Sequence, residues 1–360
     1  MGPTKPSLEL LRSLSDEHVL RALMVHRRAT RAELALATGL SKPTVSESVR
    51  RLSEAGVVVD TGERTTGRGR IGTYYALPTT TGCALVASIA PEGIVAEAID
   101  VYGDVAARAE AEVSRSPGTP QVARTLKRVV AQVTDGPVRL GVVSAADPVD
   151  RQTGRLVELP DAPFLVGALD PPAALASVVS GPVTVDNDVN WAARAELARE
   201  PRDFVYVYLG EGVGAAVVSD GEVRRGHGGL AGEIAHVPTV GPDGLAMPLT
   251  EVFAALGLRR PGSTAIDVPK LLRAEEHGAL GSAVAGVLSA AVALADPAVV
   301  LVGGPWGRDP RVLAAIQDAF RQAPRHVPVE AAGIDDEPAL TGAREAALQQ
   351  LRDAVVAAAH

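Results

Sequence analysis

RAELALATGLSKPTVSESVR, residues 31–50, is the stretch from which the organisation of this 360-residue chain is read. Thr30 precedes it as a helix cap, and Leu34 and Leu36 lie inside the first helix. Gly39 permits a left-handed turn, and Ser41 caps a second helix that is expected to run to about Ala55, where Gly56 stops it. Ala35 is small where the two helices cross. Leu40 and Val45 plug the crossing, and Leu34 and Val49 fall at core spacing. The second helix then presents Lys42, Thr44, Ser46, Glu47 and Arg50, side chains suited to a helix lying in a major groove, while Ser41 aims backbone N–H groups at a phosphate. The pattern predicts a helix-turn-helix.

The flanks extend it. Residues 1–13 read as a frayed arm, and a preceding helix is expected from Ser15 or Asp16, with Val19, Leu20, Leu23 and Met24 facing inward. Downstream, VVVD and TYYAL read as strands joined by TGERTTGRGRIG. The arginines of that loop, Arg64, Arg68 and Arg70, suit a minor groove or adjacent phosphates. Together these features predict a winged helix-turn-helix over residues 1–80, closed by a short linker at Pro78 and Thr79–Thr81. One such head is small for operator-level affinity, so a homodimer, or a dimer of dimers, on near-palindromic double-stranded DNA is expected.

Composition agrees. Residues 1–77 hold 12 Lys+Arg against 8 Asp+Glu, and the remainder 23 against 35, so a cationic head precedes an anionic body. Aromatics make up only 3%, which disfavours stacking platforms for single strands. The one cysteine, Cys83, excludes a disulfide framework and any multi-cysteine metal site. A polar N-terminus and the absence of an apparent apolar run of ~18 residues predict a cytoplasmic protein without a membrane partner.

Beyond Gly82 strands and helices alternate. CALVASIA, GIVAEAID, AEAEV, VRLGVVSA, PVTVDND, FVYVYLG, AAVVSDG and AVVLVGG read as strands. Helices are expected over Pro120–Val133, Asn190–Arg199, Ser282–Ala295 and Leu340–Ala359. GCALVASIAPEGIVAEAID and FVYVYLGEGVGAAVVSDGEV open the two halves alike, hinting at a duplicated architecture. Asn187-Asp188 follows a buried strand and precedes a helix, at the open end of a sheet where α/β folds bind ligands, and a vicinal diol suits that amide and carboxylate; a turn with local caps fits the same residues.

VTVDNDVNWAARAE, VYVYLGEGVGAAVVSDGEVRRG, HGGLAGEIAH and VVLVGG, in this order behind the winged head, resemble the ROK family (repressors, open reading frames and kinases). The resemblance implies an α/β, two-lobed, actin-like sugar-kinase fold over 81–360, with lobes of about 81–185 plus the C-terminal helix and 186–338. It further implies a sugar site of Asn187, Asp188, Glu233, His236 and Glu251, in which Asp188 matches the residue that serves the kinases as base. Gly210, Gly212 and Gly214 resemble the second phosphate loop, and Gly303-Gly304 the nucleotide-proximal turn.

Two departures redirect that expectation. The family's three zinc cysteines are absent from VPTVGPDGLAMPLT, so no metal is expected, and Met247, Pro248 and Leu249 are expected to pack there instead. The Asp-x-Gly-Gly-Thr phosphate loop is replaced by Ser88-Ile89-Ala90-Pro91-Glu92, which removes a magnesium anchor and an N–H and adds a negative charge. The expectation is a regulator, a repressor, that binds a sugar or sugar derivative with no enzymatic activity and no cofactor. An active sugar kinase with a DNA-binding head, and a regulator that has lost its small-molecule site, are the alternatives.

Overall fold

The computed structural model describes residues 8–66, 71–114, 118–159, 167–199 and 202–359. The N-terminal unit comprises α1 (Leu8–His26), β1 (Arg28–Thr30), α2 (Arg31–Thr38), α3 (Lys42–Glu54), β2 (Val59–Arg64) and β3 (Thr73–Ala76). Thr30 and Glu33 form a reciprocal capping box at the start of α2. Gly39, at φ 71°, ends that helix by donating its N–H to Ala35, and Ser41 caps α3. The three strands pair antiparallel in the order β1-β3-β2. Asp16 of α1 anchors α3 by accepting from Ser48 and from Arg51, the latter at 2.6 Å.

Two expectations are corrected here. The arm is helical from Leu8, because Leu8–Arg12 are good helix formers; Leu10, Leu11 and Leu14 stay 50%, 47% and 42% exposed, so no burial pattern advertises this turn. Ser15 is inside α1, bonded to the Leu11 carbonyl, and caps nothing. Strand β1 went unread because three residues are too few to show alternation.

The first lobe contains β4 (Cys83–Ala90), β5 (Gly93–Ile99), β6 (Val105–Ala111), α4 (Thr119–Ala131), β7 (Val138–Ala145), α5 (Pro171–Leu175) and β8 (Val183–Asn187). Next come α6 (Asp188–Glu196), β9 (Phe204–Leu209), β10 (Val213–Ser219), β11 (Glu222–Val223), β12 (Pro238–Val240), β13 (Ala246–Pro248), α7 (Leu249–Ala255), α8 (Val268–Arg273), α9 (Gly278–Ala295), β14 (Val299–Gly303), α10 (Pro310–Phe320), β15 (Val329–Ala331) and α11 (Pro338–Ala357). The two five-stranded sheets run β6-β5-β4-β7-β8 and β11-β10-β9-β14-β15. Each has three antiparallel strands followed by two parallel ones, so the duplication hinted at by the strand sequences is present in the topology.

Strand β6 starts at Val105, earlier than the AEAEV reading, and α6 starts at Asp188, not Asn190, with Asn187 as its cap. Helix α9 corrects the reading of apolar runs: its 18 residues have a mean hydropathy of 1.9, long and apolar enough to cross a membrane. In this fold Leu280, Val284, Leu288 and Val292 of α9 are buried in the second-lobe core against α7 and α10.

Helix α11 packs on β4, β7 and α6. Gly342 is required where α11 meets α6, because a β-carbon there would overlap the Trp191 carbonyl. Buried Glu97 of β5 is held by Arg108 at 2.7 Å and by Arg344 of α11 at 2.6 Å. One apolar cluster runs from Leu20, Leu23 and Val49 of the head through Val86 and Val142 of the first sheet to Leu351 and Val355 of α11. Polar contacts fasten the same junction: Arg21–Asp353 at 2.8 Å, Arg27–Asp104 at 2.5 Å, and Arg352 reaching the carbonyls of Val101 (3.0 Å) and Met24 (3.3 Å).

Leu351 is fully buried in this shared cluster. Leu351→Ala is expected to cost about 2–5 kcal/mol, measured by urea denaturation, and to loosen head and first lobe in one transition. A head that melts at its wild-type midpoint in this variant would contradict a shared core.

Candidate functional sites

On the recognition helix α3, Ser41, Lys42, Glu47 and Arg50 are exposed, and Thr44 and Ser46 are half-buried. The Ser41 and Thr44 hydroxyls share a 2.7 Å hydrogen bond at the helix start. Arg50 is clasped by Glu47 (2.6 Å) and Glu54 (2.6 Å), and its hydrogen bonds hold the Glu47 carboxyl below the usual range. Lys42 therefore carries the cationic edge of α3 together with an arginine that is already ion-paired. Arg64, at the end of β2, pairs with Asp60 at 2.8 Å. Arg68 and Arg70 lie outside the described residues. The sequence reading overlooked Arg31, which starts α2 and stands over the Tyr75 ring (5.1 Å), fastening that helix to the small sheet, and Arg28 of β1, which stands over the Tyr74 ring (4.9 Å) within the sheet.

A cavity of about 600 Å³ opens between the lobes, a size that takes a small ligand. Its walls come from the β4–β5 turn (Ala90, Pro91, Glu92), the start of α6 (Asn187, Asp188), the β9–β10 turn (Glu211, Gly212) and the segment holding Glu233 and His236. The structure thus brings together four of the five residues that the sequence singled out. Glu251 is the exception and is corrected. Although it sits in the first turn of α7, it is absent from the cavity wall, and its carboxylate turns to Arg259 at 3.1 Å.

Asn187 is committed locally. Its carbonyl oxygen accepts from the Val189 N–H, and its amide reaches the carbonyls of Ala145 and Asp147 at 3.4 and 3.3 Å. It clamps the end of β7 to the start of α6 and so positions Asp188. The Asp188 carboxylate accepts from the Val189 N–H at 2.8 Å. Burial, reinforced by the nearby carboxylates of Glu233, Glu92 and Asp147, pushes the Asp188 carboxyl up to about 7. Burial also raises Glu233, an effect that His236 opposes. The AGEIAH segment is a pair of turns and not a helix, so Glu233 and His236 converge by loop geometry and not by helical spacing.

That loop is tied to the opposite lobe. Arg225 pairs with Asp186 at 2.9 Å and donates to the Val185 carbonyl, while Arg151 holds the carbonyls of Gly226 and Gly228. Gly229 and Gly232, at φ 96° and 98°, pass so close to the carbonyls of Val149 and Ala215 that a side chain would collide. Arg225 and Arg151 were not singled out from the sequence; the arginine pair ahead of HGG was the available signal. In the β9–β10 turn the Gly210 N–H is spent on the Gly212 carbonyl, and Glu211 is paired with Arg260, also overlooked. Where zinc ligands were absent, Met247 packs over Gly241 and Leu249 is buried.

Comparison with known proteins places these elements. The ROK family model matches residues 93–249, and a winged helix-turn-helix DNA-binding model matches 12–59. A glucokinase of Halalkalibacterium halodurans is 35% identical over 114 residues, 28% of this chain, and the match spans only 34% of that protein's length. An N-acetylmannosamine kinase of Salmonella newport is 29% identical over 242 residues, 61% of this chain and 79% of that protein. A solved ROK family transcriptional regulator, a homologue of the E. coli MLC protein, superposes with a TM-score of 0.63 at 16% identity, over 97% of this chain and 98% of that one. A ROK family glucokinase from Streptomyces griseus, in complex with glucose and AMPPNP, gives 0.57 at 22% identity over 74% and 100%. At these identities the structural likeness shows the fold.

The Asp188 carboxyl titrates higher when folded than its unfolded value of ~3.9. Its protonated form therefore adds stability that is full below about pH 4 and is lost as pH rises through 7. Asp188→Asn is expected to match wild type in Tm near about pH 4 and to exceed it near about pH 8. Scanning calorimetry across that range checks this, and parallel Tm curves contradict it.

Proposed function

From a chain that carries a ROK-family domain behind a winged helix-turn-helix, we propose a transcriptional regulator, a repressor, whose interlobe cleft senses a sugar or sugar derivative and does not transfer phosphate. The observation that carries this reading is the pairing of a DNA-reading head, built into the same apolar core as the first lobe, with a cleft that keeps Asp188, Glu233 and His236 but closes its first turn with Pro91-Glu92.

In this reading Lys42, Arg50 and the wing arginines Arg64, Arg68 and Arg70 meet DNA phosphates, while Thr44, Ser46 and Glu47 meet base edges and Ser41 anchors the helix start. Operator DNA displaces the Glu47 and Glu54 clasp from Arg50. Asp188 and Glu233 accept from sugar hydroxyls, His236 completes the ring of contacts, and Asn187 holds Asp188 in place. The signal passes from α6 to α11, which lies against both α6 and α1. A ligand that binds two lobe arrangements unequally shifts the head. The protein acts as a homodimer, or a dimer of dimers, on a near-palindrome in the cytoplasm.

The names of the curated relatives favour a second reading, phosphoryl transfer with Asp188 as base. Against it stand an absent Asp in the first turn, a proline without an N–H and the Glu92 charge, all set where a triphosphate and magnesium need neutralisation.

Operator fragments recovered by genomic footprinting are expected to bind Lys42→Ala and Arg64→Ala more weakly, with a salt dependence of log K reduced by about one unit for each lost phosphate contact. Fluorescence anisotropy against salt measures this; unchanged affinity and slope contradict the assigned face. In a coupled ADP-release assay with sugar, ATP and magnesium, no turnover is expected. Turnover abolished by Asp188→Asn would establish the kinase reading.

A further inference from the structure

The charge lining the cleft goes beyond the general class of sugar. Glu92, Asp188 and Glu233 face one cavity from three separate elements, and among the described residues none of them forms a salt bridge. The cations of the wall are already occupied or weak: Arg260 is paired with Glu211, and His236 stands beside Glu233. A second cavity of about 540 Å³ adjoins the first, shares Glu92 and Asp188 with it, and adds Glu110 and Glu112. Its one arginine, Arg108, is bound to Glu97 and Glu337 and lies 3.7 Å from Glu110, which leaves Glu112 as the added carboxylate without a salt bridge among the described residues.

Some of the backbone at the turns offers an anion nothing. Pro91 has no N–H to offer at the β4–β5 turn. The Gly210 N–H is bonded to Gly212, and the Ile266 N–H to the Glu211 carbonyl. A phosphate entering here meets the carboxylates of Glu92, Asp188 and Glu233. Hydroxyls of Thr250, Ser263 and Thr264 on the same wall suit a polyhydroxylated ligand. A ligand ammonium supplies the missing positive charge and removes the repulsion between Glu92 and Asp188.

We propose that this cleft, taken as the sensor site above, is selective for a polyol bearing a protonated amine and against the same polyol as a phosphate ester, with Glu92 as the residue that sets the charge preference. Glu92 acts on the amine through charge, while the hydroxyl contacts rest on Asp188 and Glu233.

The test is calorimetric titration of the full chain near neutral pH with glucosamine, mannosamine and galactosamine, each compared with its neutral hexose, its N-acetyl form and its 6-phosphate. At least one free amino sugar is expected to bind about tenfold tighter than its neutral and N-acetyl counterparts, and its phosphate ester more weakly than the amino sugar. Glu92→Gln, a change at an exposed turn, is expected to remove most of that preference. A neutral, N-acetyl or phosphorylated form binding as tightly as the amine overturns the charge selectivity and leaves the sensor reading standing. Absence of binding by every sugar in the panel overturns both. An amine preference that survives Glu92→Gln overturns the role of Glu92.

Discussion

The union of head and first lobe depends on an apolar seam between α1 and α11. The head has too few residues to bury a large core alone, and its Leu20, Leu23 and Val49 join a cluster that continues through Val86 and Val142 to Leu351 and Val355. A head attached by a flexible linker would be indifferent to events in the lobes. Here the residues between head and first lobe, Thr79–Thr81, form a tight turn whose Thr81 is buried and whose carbonyl accepts from Arg139. Arg352 adds a polar rivet, bridging the last turn of α1 and the Val101-Tyr102 turn. Burial disfavours its charged form, so these carbonyls matter to it.

The same helix explains why the cleft and the head belong to one mechanical unit. The first residue of α6 is Asp188, and the body of α6 lies on α11, with Gly342 allowing the closest approach. Asp188 and the contacts at α1 are thus two ends of one helix stack. Arg225, reaching from the second lobe to Asp186 and Val185, ties the approach of Glu233 to that stack. Several carboxylates share a partly buried space, and the Asp188 carboxyl is raised first by its burial and further by the carboxylates near it.

Much of this was legible in the residues. The helix-turn-helix was readable because caps and turn residues act locally: Thr30, Gly39 and Ser41 perform the roles their chemistry suggests. The paired halves were readable from similar strand runs, and the topology repeats. What escaped was set by tertiary contacts. The first turn of α1 has exposed leucines and so no burial periodicity; β1 is too short to alternate; and α9 has the composition of a membrane span yet lies in the second-lobe core. Family motifs pointed to Asp188, Glu233 and His236, which line the cavity, and to Glu251, which turns instead to Arg259, a partner specified only by the fold. Asn187 lines the cavity, but the structure spends it on caps, the local alternative that the sequence left open. Arg225, Arg151 and Arg260 needed partners distant in sequence before they had any role to read.

The most direct test of this account is operator affinity, measured by anisotropy with and without saturating sugar effector, for wild type and for a chain carrying Arg352→Ala. The account predicts that the sugar weakens operator binding by the wild type, and that Arg352→Ala still binds both ligands but responds to the sugar by a markedly smaller change. Operator affinity that is identical with and without a bound sugar in the wild type would contradict it.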